Sequence, residues 1–194
     1  MAMFHQGNRE LQRQFGSTAL ADRLVDRLRR SEFNDEDRAF IQSVEFFFLA
    51  TASPDGYPDC SFKGGPPCFV RIVRPDLLVW PDYDGNGMFK SLGNIRLNPF
   101  VGLLFIRMGE APKRLRVNGR AEVVLDDPLM GEFVGAQALV RVTPIDIFPN
   151  CPRYIPDLAT GKPSPYVPCA DQPPLEPGWK SNPAWNEVVP PRRV

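Results

Sequence analysis

Between Phe46 and Ile147 the chain is cut into short extended runs by turn-forming residues, and this rhythm limits the fold more than any other feature. Phe46 to Thr51 is an apolar run rich in strand-forming aromatics, and it stops at Ser53-Pro54-Asp55-Gly56. Proline presets one turn angle and glycine accepts the unusual one, so this tetrapeptide predicts a tight turn. Tyr57 to Lys63 then resumes the extended pattern as a hairpin partner. Gly64-Gly65-Pro66-Pro67 breaks it, and Phe69 to Val73, the turn Arg74-Pro75-Asp76 and Leu77 to Trp80 follow. Val101 to Ile106, Leu115 to Leu125 and Ala138 to Ile147 supply three more strands, with Gly119 placed for a bulge or barrel bend. Many short strands joined by turns predict a small barrel.

The ends differ in kind. Arg9 to Phe15 and Ala19 to Arg30 read as helices, the second with Leu20, Leu24 and Leu28 at helical spacing and Val25 beside them. Asn34 is placed to cap a third helix whose first turn holds Asp35, Glu36 and Asp37, where the helix dipole favours anions. Phe40, Ile41 and Val44 form its apolar side. From Pro149 onward prolines accumulate and periodicity fades, as in an extended arm ordered only where it packs. The expected division is therefore a helical segment over 1–44, a barrel core over 45–148 and a proline-rich arm over 149–194. The fold class is mainly β with flanking helices (α+β).

Charge narrows the function. Lys plus Arg equals Asp plus Glu at 23 each, giving a formal net charge of zero. Bulk nucleic-acid binding needs many cations facing phosphates and is not expected, whereas a local basic pocket for one small anion is compatible with this balance. No apolar run is long enough to cross a bilayer, and Met1 to Arg9 lacks the apolar stretch of a signal peptide. Cys60, Cys68, Cys151 and Cys169 show no CxxC pairing, and the single histidine is His5. A zinc site is not expected, and the thiols read as reduced cysteines of a cytoplasmic protein.

The stretch Trp80 to Asn94, WPDYDGNGMFKSLGN, carries the most chemistry. A strand runs into a Gly/Asn loop that opens a helix with Lys90 and Ser91 in its first turn. The first N–H groups of a helix lack internal partners and sit at its positive end. Gly85 and Gly87 permit close backbone approach, Lys90 adds a charge and Ser91 a hydroxyl donor. This is a seat for a phosphate monoester, although its spacing is neither a Walker A loop nor GxGxxG. The plain alternative is a strand–helix loop with a surface lysine. Ser61 and Lys63 lie two apart on one strand and share a face, as do Arg114 and Arg116 on another.

Together these segments resemble the pyridoxamine 5′-phosphate oxidase superfamily of flavoproteins. Phe47 to Pro58 followed by Asp59-Cys60-Ser61-Phe62-Lys63-Gly64-Gly65 is similar to its opening hairpin. Gly87 to Ile95, followed by Asn98-Pro99 and the strand Val101 to Phe105, resembles its phosphate-binding helix and next strand. Leu115 to Glu122 resembles its R-V-x-G-x-A strand. The resemblance spans roughly residues 40 to 147 and implies an FMN-binding split β-barrel with flavin between two subunits of a homodimer. It further implies cofactor contacts from Lys90 and Ser91 to the phosphate, from Ser61 and Lys63 to the flavin or ribityl chain, and from Arg114 near the flavin ring. Gly87, Arg116, Asn86 and Asn94 complete the candidate set.

The sequence departs from the oxidase itself. No histidine follows His5, so the Arg-x-His-Asp-Arg-type signature that reads pyridoxal phosphate is missing, and oxidation of vitamin B6 phosphate is not expected. The expected function is an FMN-dependent oxidoreductase acting on a small molecule of unidentified class, with no catalytic residue assigned. The alternatives are a non-catalytic flavin-binding or sensing protein, or a split barrel holding F420 or haem.

Overall fold

In the computed structural model, the described residues are 3–109, 111–167 and 175–190. Cys169 and the terminal 191–194 lie outside them. The chain divides into two compact units. The larger comprises Arg30–Arg107 and Lys113–Asn150; the smaller is drawn from Met1–Arg29, Met108–Pro112 and Cys151–Val194.

The larger unit is one seven-stranded antiparallel sheet with two helices. After α1 (Gln6–Gln14) and α2 (Thr18–Leu28) of the smaller unit, these are in chain order α3 (Asp35–Ser43), β1 (Phe46–Ala52), β2 (Pro58–Gly64), β3 (Arg71–Arg74), β4 (Leu77–Tyr83), α4 (Lys90–Leu97), β5 (Phe100–Arg107), β6 (Lys113–Val124) and β7 (Ala136–Asn150). The strand order is β2-β1-β5-β6-β7-β4-β3, so β2 and β3 are the two edges. This is the mixed α+β split barrel that the strand rhythm and the resemblance predicted.

The Ser53–Gly56 turn forms as expected. Gly56 takes a positive φ of 85°, and the hairpin pairs Phe46 with Gly64 through Ala52 with Pro58. Alternation sends Phe47 and Leu49 into the interior, both fully buried. There Phe47 meets Trp80 edge-on at 5.2 Å and Phe105 at 5.2 Å between ring centroids. Aromatic pairs of this kind bury large areas and prefer offset or edge geometry.

The third helix begins where Asn34 predicted. The Asn34 side chain accepts from the Asp37 backbone N–H at 2.8 Å, and Asp37 accepts from the Asn34 N–H at 3.2 Å. This reciprocal pairing satisfies two orphan donors of the helix start. Arg30 also donates to both Asp37 carboxylate oxygens, at 2.7 and 2.8 Å. Phe40, Ile41 and Val44 are buried in the core, as their spacing required.

Strand β4 runs further than its sequence implies. Pro81-Asp82-Tyr83 has turn composition, yet it stays in the sheet, pairing Pro81 with Leu139 and Asp82 with Ala138. Proline lacks only its N–H, and the neighbouring ladder holds the strand through it. A register shift at Asp82/Tyr83 then turns the chain toward α4.

The smaller unit contains α1 (Gln6–Gln14) and α2 (Thr18–Leu28). Of α2 only Ala21 is buried, and Leu20, Leu24, Val25 and Leu28 are half-buried. Within this unit Arg23 donates to the Ala184 carbonyl at 2.8 Å. Trp179 and Trp185 meet edge-to-face at 6.4 Å, so the tryptophans of the arm pack on one another. No helix among the described residues is long and apolar enough to cross a membrane.

Candidate functional site

Two elements distant in sequence, β2 and the β4–α4 loop, enclose a cavity of about 480 Å³ within the larger unit. Ligand pockets of small molecules and cofactors typically measure about 300–1,000 Å³. Along β2 alternation splits the residues. Asp59, Ser61 and Lys63 are half-buried, while Cys60 and Phe62 are exposed on the opposite face. Across from them stand Asp82, Tyr83, Asp84, Gly85, Asn86 and Gly87, then Lys90 and Ser91 at the start of α4.

The start of α4 is built to leave donors open. Its N-terminal cap residue is Phe89, which has a left-handed backbone (φ 48°, ψ 28°) and no side-chain capping bond. A non-glycine residue there costs on the order of 1–3 kcal/mol. Asn86 accepts from the Met88 N–H at 3.0 Å and Gly87 takes φ 70°, so the loop is shaped by its own polar groups. The first turn of α4 therefore presents its N–H groups and positive dipole end without an internal cap, beside an exposed Lys90.

Ser91 is buried, and its hydroxyl points to the Asp59 carboxylate at 3.5 Å, a long hydrogen bond. Lys63 Nζ lies 3.8 Å from Asp82, whose side chain is only 10% exposed. Asp82 also accepts from the Gln137 side-chain amide at 2.9 Å. A carboxylate so buried is tolerable because it is both paired and hydrogen-bonded. The cavity thus holds two cations, Lys63 and Lys90, against three carboxylates, Asp59, Asp82 and Asp84.

Of the nine candidates, Ser61, Lys63, Asn86, Gly87, Lys90 and Ser91 line this one cavity. Asn94, Arg114 and Arg116 do not. Asn94 donates to Thr51 Oγ1 at 3.0 Å and ties α4 to β1. Arg114 and Arg116 lie on β6, where Arg116 pairs with Leu104 on one side and Phe148 on the other. Arg116 is exposed and stands over the Phe148 ring, 5.9 Å from its centroid. The sequence reading missed Asp59, Asp82 and Gln137. Their recruitment depends on cross-strand position, which no local motif encodes.

The cavity lining contains no histidine. Cys60 and Cys68 are exposed free thiols, and Cys151 follows β7 directly and is half-buried. Among the described residues no three His, Cys, Asp or Glu side chains gather as a metal site.

The sequence matches the family model described as pyridoxamine 5′-phosphate oxidase over residues 33–151. No curated protein matches the chain by sequence. Among solved structures it is similar to HupZ from Group A Streptococcus, at 17% identity and a TM-score of 0.48, covering 68% of this chain and 98% of that one. It is also similar to HutZ, the haem storage protein from Vibrio cholerae, at 21% identity and 0.43, covering 58% and 90%. An FMN-binding protein from Syntrophomonas wolfei subsp. wolfei matches at 9% identity and 0.47, covering 75% and 96%.

Proposed function

The chain belongs to the pyridoxamine 5′-phosphate oxidase family, and on that premise we propose that it is an FMN-dependent oxidoreductase working as a homodimer. The observation that carries this reading is the uncapped start of α4, with Lys90 beside it, opening onto the cavity. The donor set fits a phosphate monoester: backbone N–H groups at a helix start, one ammonium and one hydroxyl. Phe69, Pro81, Met88 and Phe89 add apolar surface for a planar ring.

FMN would supply hydride or electron transfer, and the protein would bind it, orient it and set its electrostatics. Lys90 and Ser91 would hold the phosphate. Ser61 and Lys63, side by side on the cavity face of β2, would meet the ribityl chain or flavin edge. A cavity without histidine suits chemistry carried by the cofactor. The substrate would be a small molecule stacked on the exposed face of the ring.

The homodimer rests on the outer face of the sheet. One row crosses five strands as Phe62, Phe48, Leu104, Arg116 and Phe148. Phe46 stacks on Phe62 at 5.4 Å, and Phe62 remains 62% exposed. An exposed aromatic set among half-buried ones in this way marks an interaction surface. A second copy on this face would make a two-fold interface of the obligate class, over about 2,000 Å² in total.

The test is the absorbance of the purified protein and the identity of what it releases on denaturation. A flavin spectrum with release of FMN, and bleaching by a nicotinamide or a substrate, are expected. Bound flavin that nothing reduces would leave a binding or sensing protein. A haem or F420 spectrum, or a colourless protein that takes up no FMN, would overturn the reading.

A further inference from the structure

The phosphate seat of this cavity already faces an anion belonging to the chain. Asp59 projects from β2 toward α4, and the buried Ser91 hydroxyl donates to its Oδ2 at 3.5 Å. Phe89, the N-terminal cap residue of α4, makes no side-chain bond to the helix, so the first turn has no cap of its own. A helix start without a cap is stabilised by any nearby negative charge. A carboxylate from another strand reaches this turn through Ser91.

We propose that Asp59 is an internal stand-in for the phosphate and thereby sets the selectivity of the cavity. The inference rests on the reading of the cavity as an FMN site. The Asp59 carboxylate accepts from the Ser91 hydroxyl and answers the positive end of α4. An incoming phosphate needs the same hydroxyl and the same helix end. It must displace the Ser91–Asp59 contact and then bear a like charge a few ångströms away. Lys63 does not relieve this repulsion, because its ammonium already faces the buried Asp82. Among the described residues of the cavity, Lys90 remains to offset two anions. Asp59 therefore weakens phosphate-bearing ligands relative to the same ligands without phosphate, and it stabilises the flavin-free state.

The experiment titrates wild type, Asp59→Asn and Asp84→Asn with FMN and with riboflavin, which lacks the phosphate. Asp84 lines the same cavity and controls for a general loss of negative charge. Asp59→Asn should tighten FMN about three- to tenfold, the scale of one like-charge contact in a partly solvated site. It should leave riboflavin within about twofold, since little charge is then at stake. Melting of the flavin-free proteins gives a second readout, with Asp59→Asn melting below wild type. Unchanged or weaker FMN binding by Asp59→Asn, or equal tightening by Asp84→Asn, would overturn the inference while leaving the flavin site standing. Wild type that binds neither FMN nor riboflavin would instead overturn the reading of the cavity, and the inference with it.

Discussion

Arg141 holds Asp127 by two hydrogen bonds, Nε to Oδ2 at 2.5 Å and Nη2 to Oδ1 at 2.9 Å, and the Asp127 side chain is wholly buried. The same carboxylate accepts from the Leu129 backbone N–H at 2.9 Å. One residue thus pins β7 to the loop after β6. The Arg141 bond holds the Asp127 carboxyl below its ordinary value of 3.8, and burial opposes this only in part. A carboxyl depressed in the folded state stabilises fully above its unfolded pKa and loses that stability as pH falls through the folded one. Wild type should therefore lose stability steeply below about pH 4. Arg141→Ala should cost about 3 kcal/mol at neutral pH, because it strands a buried carboxylate. The penalty should shrink in acid as Asp127 takes a proton. Urea unfolding between pH 7 and pH 2.5 checks both, and a penalty constant with pH would count against this account.

Gly119 tests how tightly β6 and β7 meet. The register shifts between Asn118 and Gly119, and a Cβ added at Gly119 would come within 2.5 Å of the Thr143 carbonyl oxygen and 2.7 Å of Val142 Cγ1. The first is backbone and cannot swing aside. Gly119→Ala should destabilise by about 1–3 kcal/mol, the usual cost of overpacking. Gly93→Ala is the contrast, since nothing lies within 4 Å of a Cβ there. On α4 it should be neutral or stabilise by up to about 1 kcal/mol. Chemical denaturation of the two variants gives the comparison, and a harmless Gly119→Ala would show that the bulge can open.

The outer aromatic row predicts an assembly. Phe62 sits on the edge strand with most of its ring exposed, so Phe62→Asp should not damage a lone subunit. Against a second copy it would bury a charge among rings. Light scattering should give the dimer mass for wild type and the monomer mass for the variant, with far-ultraviolet circular dichroism unchanged. Monomeric wild type, or a Phe62→Asp variant still fully dimeric, would move the interface elsewhere.

How legible the fold was depends on how local its causes are. The Ser53–Gly56 hairpin and the Asn34 cap are set by neighbours in sequence, and both form where those neighbours predict. The end of β4 is different. Asp82 and Tyr83 look like loop residues, but pairing with β7 keeps them extended, and Gln137 reaches both the Asp82 carboxylate and the Tyr83 carbonyl. The site divides the same way. Lys90 and Ser91 are legible as the first turn of a helix after a glycine loop. Asp59 and Asp82 become cavity residues only through cross-strand placement. Asn94, a plausible donor by sequence, is spent on Thr51.

Lys90 and Lys113 show why position decides what a lysine contributes. Both precede or open an element, and the sequence reads Lys113, after Pro112, as a solvated lysine. The structure places it differently: Lys113 Nζ lies 2.7 Å from Glu36 and 4.9 Å from the Phe40 ring centroid. It holds the Glu36 carboxyl below its ordinary value and links β6 to α3, and it does not line the cavity. Lys90 is exposed on the cavity wall, in the turn whose N–H groups are uncapped. Its ammonium would add a charge-assisted bond at a spot already preorganised for an anion. Lys90→Ala should therefore weaken FMN about ten- to a hundredfold, the equivalent of about 1.5–3 kcal/mol. Ser91→Ala should cost less, since it removes one neutral donor that the Asp59 carboxylate already engages. Lys113→Ala should leave FMN affinity unchanged and lower stability by less than about 1 kcal/mol, because Glu36, its partner, is largely exposed to water. Fluorescence titration of the three variants, each first shown to fold, separates these outcomes. Equal affinity for wild type and Lys90→Ala would move the phosphate away from α4, and the arginines of β6 would become the next place to look.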